Sequence, residues 1–225
     1  MPLLSVIVPV YNEVKTIKEI LEKIHALPLD KEIIVVDDGS SDGTDKLLRD
    51  IQFDDMKVIH HTSNRGKGAA FLTGLAHASG DFVIIQDADL EYDHADYYKL
   101  LELIQKGQAD LVLGARFARG HTGLLFHRLG NKALTWFLNA IFGVNLNDYA
   151  TCYKLASRQL WHDLNLRCLS FHIDVEIICN AIKKKKRILE VPIAYHQRSY
   201  KEGKKIRWHD GLWAIFHIMR YRFVD

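Results

Sequence analysis

"EIIVVDDGSSDGT" (residues 32–44) runs an aliphatic, β-branched segment straight into a polar turn that carries two adjacent carboxylates. The run 32–36 is continuous and does not alternate apolar with polar. A strand of this kind is covered on both faces, as in a parallel sheet. The same pattern recurs in "LLSVIV" (3–8), "KVIH" (57–60), "FVII" (82–85) and "LVL" (111–113). Between these runs lie amphipathic segments: Ile17, Ile20, Leu21 and Ile24 recur at helical spacing, as do Leu100, Leu101 and Ile104. Strand and helix alternate at least four times, which predicts an α/β fold with a mostly parallel central sheet and helices on both faces. Its ligand crevice is expected at the carboxyl ends of the strands.

Every predicted strand exit is polar: "PVYNE" (9–13), "DDGSSDGT" (37–44), "TSNRGKG" (62–68) and "DADLE" (87–91). Asp87 and Asp89 are separated by one residue, so in extended backbone both carboxylates point to one side, with Glu91 next in line. Hard cations take such oxygen sets, and Mg²⁺ completes its shell with water and substrate phosphates. The cluster therefore reads as a metal-diphosphate site, although an isolated Asp-x-Asp is more commonly a solvated turn. Gly39 and Gly43 permit tight turns, Asp42 suits helix capping, and Asp38 is the better candidate for contact with a base or ribose. "NRGKGAA" (64–70) satisfies neither the P-loop nor the dinucleotide glycine pattern. Arg65 and Lys67 at a helix start are within reach of an anion, with surface solvation the plainer reading.

Beyond Arg116 the rhythm changes to a Gly- and His-containing loop (118–127), helices at about 129–142 and 172–184, a strand at 187–195 and a C-terminal amphipathic helix. There is no internal repeat, so we expect one domain, 1–225, with a ligand-binding half (1–116) and an extension (117–225). The formal net charge is +2, yet acids crowd 37–96 and bases crowd "KKKKR" (183–187) and "KEGKKIR" (201–207), which predicts an anionic partner for the late segment. The three cysteines have no metal-ligand spacing and no signal or transit pattern precedes Leu3, so a cytoplasmic setting is expected. No apolar stretch reaches the roughly 18–20 residues of a membrane span. In the last segment, 208–223, Leu212, Ile215, Phe216 and Met219 share one stripe beside Trp213, with Arg220 and Arg222 flanking. Packing on the core is the first reading of that stripe, and a peripheral membrane contact, at the cytoplasmic face, is the second.

Taken together, "SVIVPVYNE", "IIVVDDGSSDGT", "NRGKGAA" and "QDADLEY" resemble the N-terminal half of family 2 inverting glycosyltransferases, which have the A-type nucleotide-sugar transferase fold with a Rossmann-like sheet. "GARF" (114–117) and "YHQRSYKEGKKIRWHDG" (195–211) resemble the dolichyl-phosphate mannosyltransferase subgroup. The resemblance implies that Pro9, Tyr11, Glu13, Val36 and Asp38 surround the nucleoside. It implies that Asp87, Ala88 and Asp89 hold the diphosphate and a Mg²⁺ or Mn²⁺ ion, with Glu91 as a further ligand. Arg116, Arg198 and Lys204 would face the donor and acceptor phosphates, joined by Arg128. Glu91 stands where many relatives have Gln, Tyr92 and Asp93 replace a common His-Pro, and the membrane helices of many relatives are missing.

The expected reaction is metal-dependent, inverting transfer of a hexose, mannose from GDP-mannose first, to a polyprenyl phosphate; no nucleic-acid partner is expected. A phosphate monoester is largely ionised at pH 7, with a second pKa of about 6, so no general base is assigned. A UDP-sugar donor with a saccharide acceptor is the alternative, and would require a carboxylate base, for which Asp174 and Glu176 are the candidates. A non-catalytic nucleotide-sugar-binding module is the third reading.

Overall fold

The computed structural model describes residues 3–116, 125–196 and 208–224. Seven strands form one sheet: β1 (Leu4–Val10), β2 (Lys31–Asp37), β3 (Met56–His60), β4 (Phe82–Ile85), β5 (Leu111–Ala115), β6 (Lys154–Ser157) and β7 (Ile188–Pro192). Their order is β3-β2-β1-β4-β6-β5-β7. All the strands run the same way except β6, which pairs antiparallel with β4 on one side and β5 on the other. The sheet is therefore mostly parallel, as expected. A strand from the later half of the chain, β6, lies between β4 and β5.

β6 left no signal in the sequence. Its four residues, "KLAS", begin with Lys154, whose charge argues against a buried strand; yet Lys154 is fully buried because Asp174 and the Thr151 carbonyl accept from its ammonium group.

The helices are α1 (Ile17–His25), α2 (Thr44–Asp50), α3 (Lys67–His77), α4 (Tyr97–Gln105), α5 (Leu125–Phe142), α6 (Arg158–Asp163), α7 (Ile173–Lys183) and α8 (Trp208–Phe223), with a 3-10 turn at His94–Asp96. The periodic residues of α1 (Ile17, Ile20, Leu21, Ile24) are all fully buried, which satisfies the 3.6-residue period read from the sequence. Both faces of the central strands are covered, and burying each such aliphatic side chain contributes roughly 1.5–3 kcal/mol. α3 lies tight on β1: a methyl group at Gly74 would sit 2.5 Å from Ile7 Cγ2.

The register carries the strands to a common rim, with Val10 opposite Asp37 and Ile85 opposite Ile7. That alignment brings the segments at 11–13, 37–44, 61–68 and 86–92 to one end of the sheet.

His94, in the 3-10 turn, is 5% exposed, and among the described residues its Nε2 has no hydrogen-bond partner. Burial, with a smaller contribution from Lys23, pushes its pKa down from 6.5 to about 4. Above pH 6.5 both folded and unfolded forms are neutral. Between 6.5 and 4 only the unfolded chain takes the proton, so stability falls with pH. Urea unfolding across this window should show a loss of up to about 3 kcal/mol attributable to this site. His94→Leu should flatten the slope by up to about one proton, and an unchanged slope would contradict the assignment.

Candidate active site

A cavity of about 640 Å³ opens at the carboxyl ends of the strands. Pro9, Tyr11, Glu13, Asp38, Asp87, Ala88, Asp89, Glu91 and Arg116 line it from the first half of the chain, and Arg128 from the second. Val36 does not reach the cavity: its side chain is fully buried in the core, at the closed face of β2. Arg198 and Lys204 lie outside the described residues.

The first two loops are laced together by short polar side chains. Asn12 takes a left-handed backbone (φ 52°), donates its N–H to Ser40 Oγ (2.9 Å) and accepts from Ser41 N–H (2.8 Å). Glu13 N–H donates to Thr44 Oγ1 (3.0 Å) and Val14 N–H to Asp42 (3.2 Å). Asp42 also accepts from the Thr44 N–H and hydroxyl, so it does cap α2, from one position before the turn residue Gly43. Burial alone would raise the Asp42 pKa, but these hydrogen bonds outweigh it and hold the carboxyl below its usual range.

Loops two and three touch at Gly39, which has φ +73°; a Cβ there would lie 2.6 Å from the Ser63 backbone, so only glycine fits. Asp38 is committed to the same joint. Its oxygens accept from His61 Nδ1 (2.7 Å), Arg65 N–H (2.9 Å) and Gly66 N–H (2.7 Å), and the residue is only 2% exposed. It lines the cavity, yet its hydrogen-bonding capacity goes first to fixing the start of α3.

The consequence appears at Lys67. Gly66 and Gly68 let the first turn of α3 press against the 168–169 backbone, where added methyl groups would come within 2.3 and 2.1 Å of carbonyl oxygens. Ala69 N–H donates to the Leu169 carbonyl (3.0 Å). Lys67 Nζ thereby extends into the cavity, 2.7 Å from Asp87 and 3.9 Å from Asp174, while Lys154 Nζ donates to Asp174 at 2.5 Å. Burial acts to raise the Asp87 pKa, but the Lys67 charge prevails and the net shift is downward. The converse holds for Lys67, whose burial penalty is overcome by the Asp87 and Asp174 charges.

Asp89 shares the cavity with Asp87 and accepts from Glu91 N–H (3.3 Å). Leu90 then takes φ +57°, a left-handed conformation costly for a side chain of its size. This kink ends the extended alternation on which the expectation for Glu91 rested. Glu91 turns inward, is 8% exposed, and its Oε2 accepts from the Tyr195 hydroxyl (2.8 Å). Among the described residues no group of three acidic, His or Cys side chains converges as a metal site.

Arg116, which also lines the cavity, makes a two-point pair with Asp148, Nε to Oδ2 at 2.7 Å and Nη2 to Oδ1 at 2.8 Å, and its guanidinium lies 5.2 Å from the centre of the Tyr195 ring. Asp148 is fully buried and its N–H donates to Glu190 (2.8 Å). Sequence reasoning singled out Arg116 and missed both Asp148 and Tyr195, its nearest partners.

Residues 5–164 match the family model for glycosyl transferase family 2. The chain belongs to that family. It is 31% identical over 204 residues to a low-salt glycan biosynthesis hexosyltransferase, Agl6, of Haloferax volcanii, covering 88% of this chain and 48% of that protein. It is 31% identical over 224 residues to an undecaprenyl-phosphate 4-deoxy-4-formamido-L-arabinose transferase of Aeromonas hydrophila, covering 96% and 65%. A polyprenol monophosphomannose synthase of Mycolicibacterium smegmatis is 30% identical over 218 residues, covering 90% and 82%. The chain thus spans about half to two thirds of the length of the first two. Glucosyl-3-phosphoglycerate synthase of Mycobacterium tuberculosis, solved with Mn²⁺, UDP and phosphoglyceric acid, superimposes with a TM-score of 0.75 over 100% of this chain and 80% of that one, at 21% identity. The fold is accordingly the A-type nucleotide-sugar transferase fold.

In this family 2 chain, Asp87 and Asp89 supply an all-oxygen donor pair in a cavity, which fits a hard divalent ion that takes one or two carboxylates and fills its shell with water and phosphate oxygens. The two carboxylates considered as bases are otherwise engaged. Asp174 is ion-paired with Lys154, and Glu176, 3% exposed, accepts from Arg167 N–H (3.0 Å) and Cys168 N–H (2.8 Å), which fixes the loop that meets α3.

Because the Arg116–Asp148 pair is buried, removing one partner leaves a charge without compensation. Asp148→Ala should lower unfolding free energy in urea by roughly 3–5 kcal/mol, and a loss below about 1 kcal/mol would show that the pair does not hold this wall in place.

Proposed function

We propose that this protein transfers a hexose from a nucleoside diphosphate donor to a polyprenyl phosphate, with inversion and with a divalent metal ion. The observation that carries the reading is the meeting of both charges in one cavity: Asp87 and Asp89 line it together with Arg116 and Arg128. The relatives point the same way, since two are named for polyprenol or undecaprenyl-phosphate transfer. We assign GDP-mannose as the first donor and a UDP-sugar as the alternative. The 117–225 extension serves as the acceptor side of the same unit.

A bound Mg²⁺ or Mn²⁺ would supply Lewis-acid stabilisation of charge on the departing diphosphate. The protein's own part is to orient and to balance charge. Tyr11, Glu13 and the Asp38-fixed turn shape the nucleoside end, and Asp87 and Asp89 meet the diphosphate end. Arg116 and Arg128 hold an anionic acceptor for in-line attack. That acceptor arrives already ionised, so the engagement of Asp174 and Glu176 elsewhere leaves the chemistry intact. In this reading Arg198 and Lys204 also act on the phosphates.

No helix among the described residues is long and apolar enough to cross a membrane. α8 instead packs Ala214, Ile218 and Tyr221 inward and leaves Leu212, Trp213 and Phe216 more than half exposed, with Trp136 of α5 71% exposed. The stripe of Leu212, Ile215, Phe216 and Met219, read first as packing on the core, faces outward instead, and a different face of α8 makes the packing contacts. Because Leu134 on α5 and Ala214 on α8 also line the cavity, the stripe sits where a lipid tail would leave the site, and we assign it to peripheral membrane contact.

The test is transfer of labelled sugar from GDP-mannose, and separately from UDP-glucose, into organic-extractable polyprenyl phosphate. One donor should give metal-dependent lipid product, reduced at least about 100-fold by Asp89→Ala. Trp213→Glu should lower product from vesicle-embedded acceptor and spare a water-soluble short-chain acceptor. Nucleotide binding without lipid product from either donor would overturn the acceptor assignment.

A further inference from the structure

Lys67 breaks a local rule. It is the first residue of α3, where the helix dipole is positive and a cation is disfavoured, and its side chain is only 11% exposed. No acidic residue in the first turn of α3 offsets it. Departures of this kind concentrate where function demands them. The backbone that carries Lys67 is held on both sides, by the Asp38 carboxylate accepting from Arg65 and Gly66 N–H groups and by the contact of Gly66 and Gly68 with the 168–169 backbone. The side chain therefore has two partners within reach: Asp87 at 2.7 Å and Asp174 at 3.9 Å.

We propose that Lys67 is a built-in competitor for the divalent ion: its ammonium group occupies the cation position on Asp87, and a metal binding to Asp87 moves it to Asp174. This rests on the metal site assigned under the proposed function. Two cations cannot occupy the same carboxylate oxygen at contact distance without strong repulsion in a partly buried cavity, and Lys67 sits on Asp87 Oδ1. Asp174 is suited to receive the displaced group, because it borders the same cavity and its other oxygen already holds Lys154. Lys67 moves between two carboxylates, so the cavity need not leave either acid uncompensated in either state. The protein thereby keeps its metal affinity low when the cavity is empty. No covalent step is involved; Lys67 is a positioning residue for Asp87.

The test is binding of Mn²⁺ alone, followed by loss of the free-ion paramagnetic resonance signal, in wild type, Lys67→Gln, Lys67→Arg and Asp174→Asn, each confirmed folded by circular dichroism. Lys67→Gln should bind Mn²⁺ at least about ten-fold more tightly than wild type. Lys67→Arg, which keeps the charge, should stay within about three-fold of it. Asp174→Asn, which takes away the second partner, should bind more weakly, and it supplies the opposite sign should Lys67→Gln fail to fold. Equal or weaker Mn²⁺ binding by Lys67→Gln, or unchanged binding by Asp174→Asn, would overturn the proposal. A parallel titration with GDP and with UDP separates the two levels. If Mn²⁺ binds with nucleotide but ignores Lys67, this inference alone fails; if no protein binds Mn²⁺ even with nucleotide, the metal site itself fails.

Discussion

Four buried or half-buried charges, Asp87, Lys67, Asp174 and Lys154, meet at the rim of the sheet and sum to zero. They come from the exit of β4, the first turn of α3, the first turn of α7 and the reversed strand β6. The ion pairs among them therefore join the two halves of the chain at the cavity, beside the Glu91–Tyr195 and Arg116–Asp148 contacts. A buried ion pair is a poor source of net stability, because desolvation offsets most of the attraction. Its presence here makes sense as an arrangement that keeps an acidic wall folded while leaving it able to exchange one cation for another.

The surrounding structure serves to hold that arrangement still. Asp38 fixes the turn before Lys67, Glu176 fixes the loop against which α3 packs, and Gly39, Gly66 and Gly68 remove side chains where backbones must meet. Preorganisation of this sort means that the ordering of loops is accomplished during folding and not at the moment a ligand binds. Arg116 is treated in the same manner, locked by Asp148 and laid against Tyr195.

Much of this was legible in the sequence where the signal was local. Continuous β-branched runs located β1 to β5, the 3.6-residue period of α1 marked its buried face, and the polar strand exits located Pro9, Tyr11, Glu13, Asp38, Asp87 and Asp89 at the cavity. What the sequence did not show depends mostly on distant partners. Lys154 made β6 look unlike a strand, since its neutralising acid lies twenty residues on. Val36 sits in a motif whose neighbours line the cavity, but strand alternation turns it into the core. Glu91 follows Asp89 in the sequence and lines the same cavity, but the left-handed Leu90 and the Tyr195 hydroxyl, 104 residues away, set where its carboxylate points. Asp148 and Lys67 are single charged residues whose roles exist only once the fold brings Arg116 and Asp87 to them.

The most direct measurement is a crystal structure with Mn²⁺ and GDP or UDP, using anomalous scattering to locate the metal. A single peak within coordination distance of Asp87 and Asp89, with Lys67 moved to Asp174 and Glu91 still held by Tyr195, is the expected result. A bound nucleotide with the metal elsewhere, or with Lys67 still seated on Asp87 beside it, would contradict the assignment of these carboxylates and their lysine.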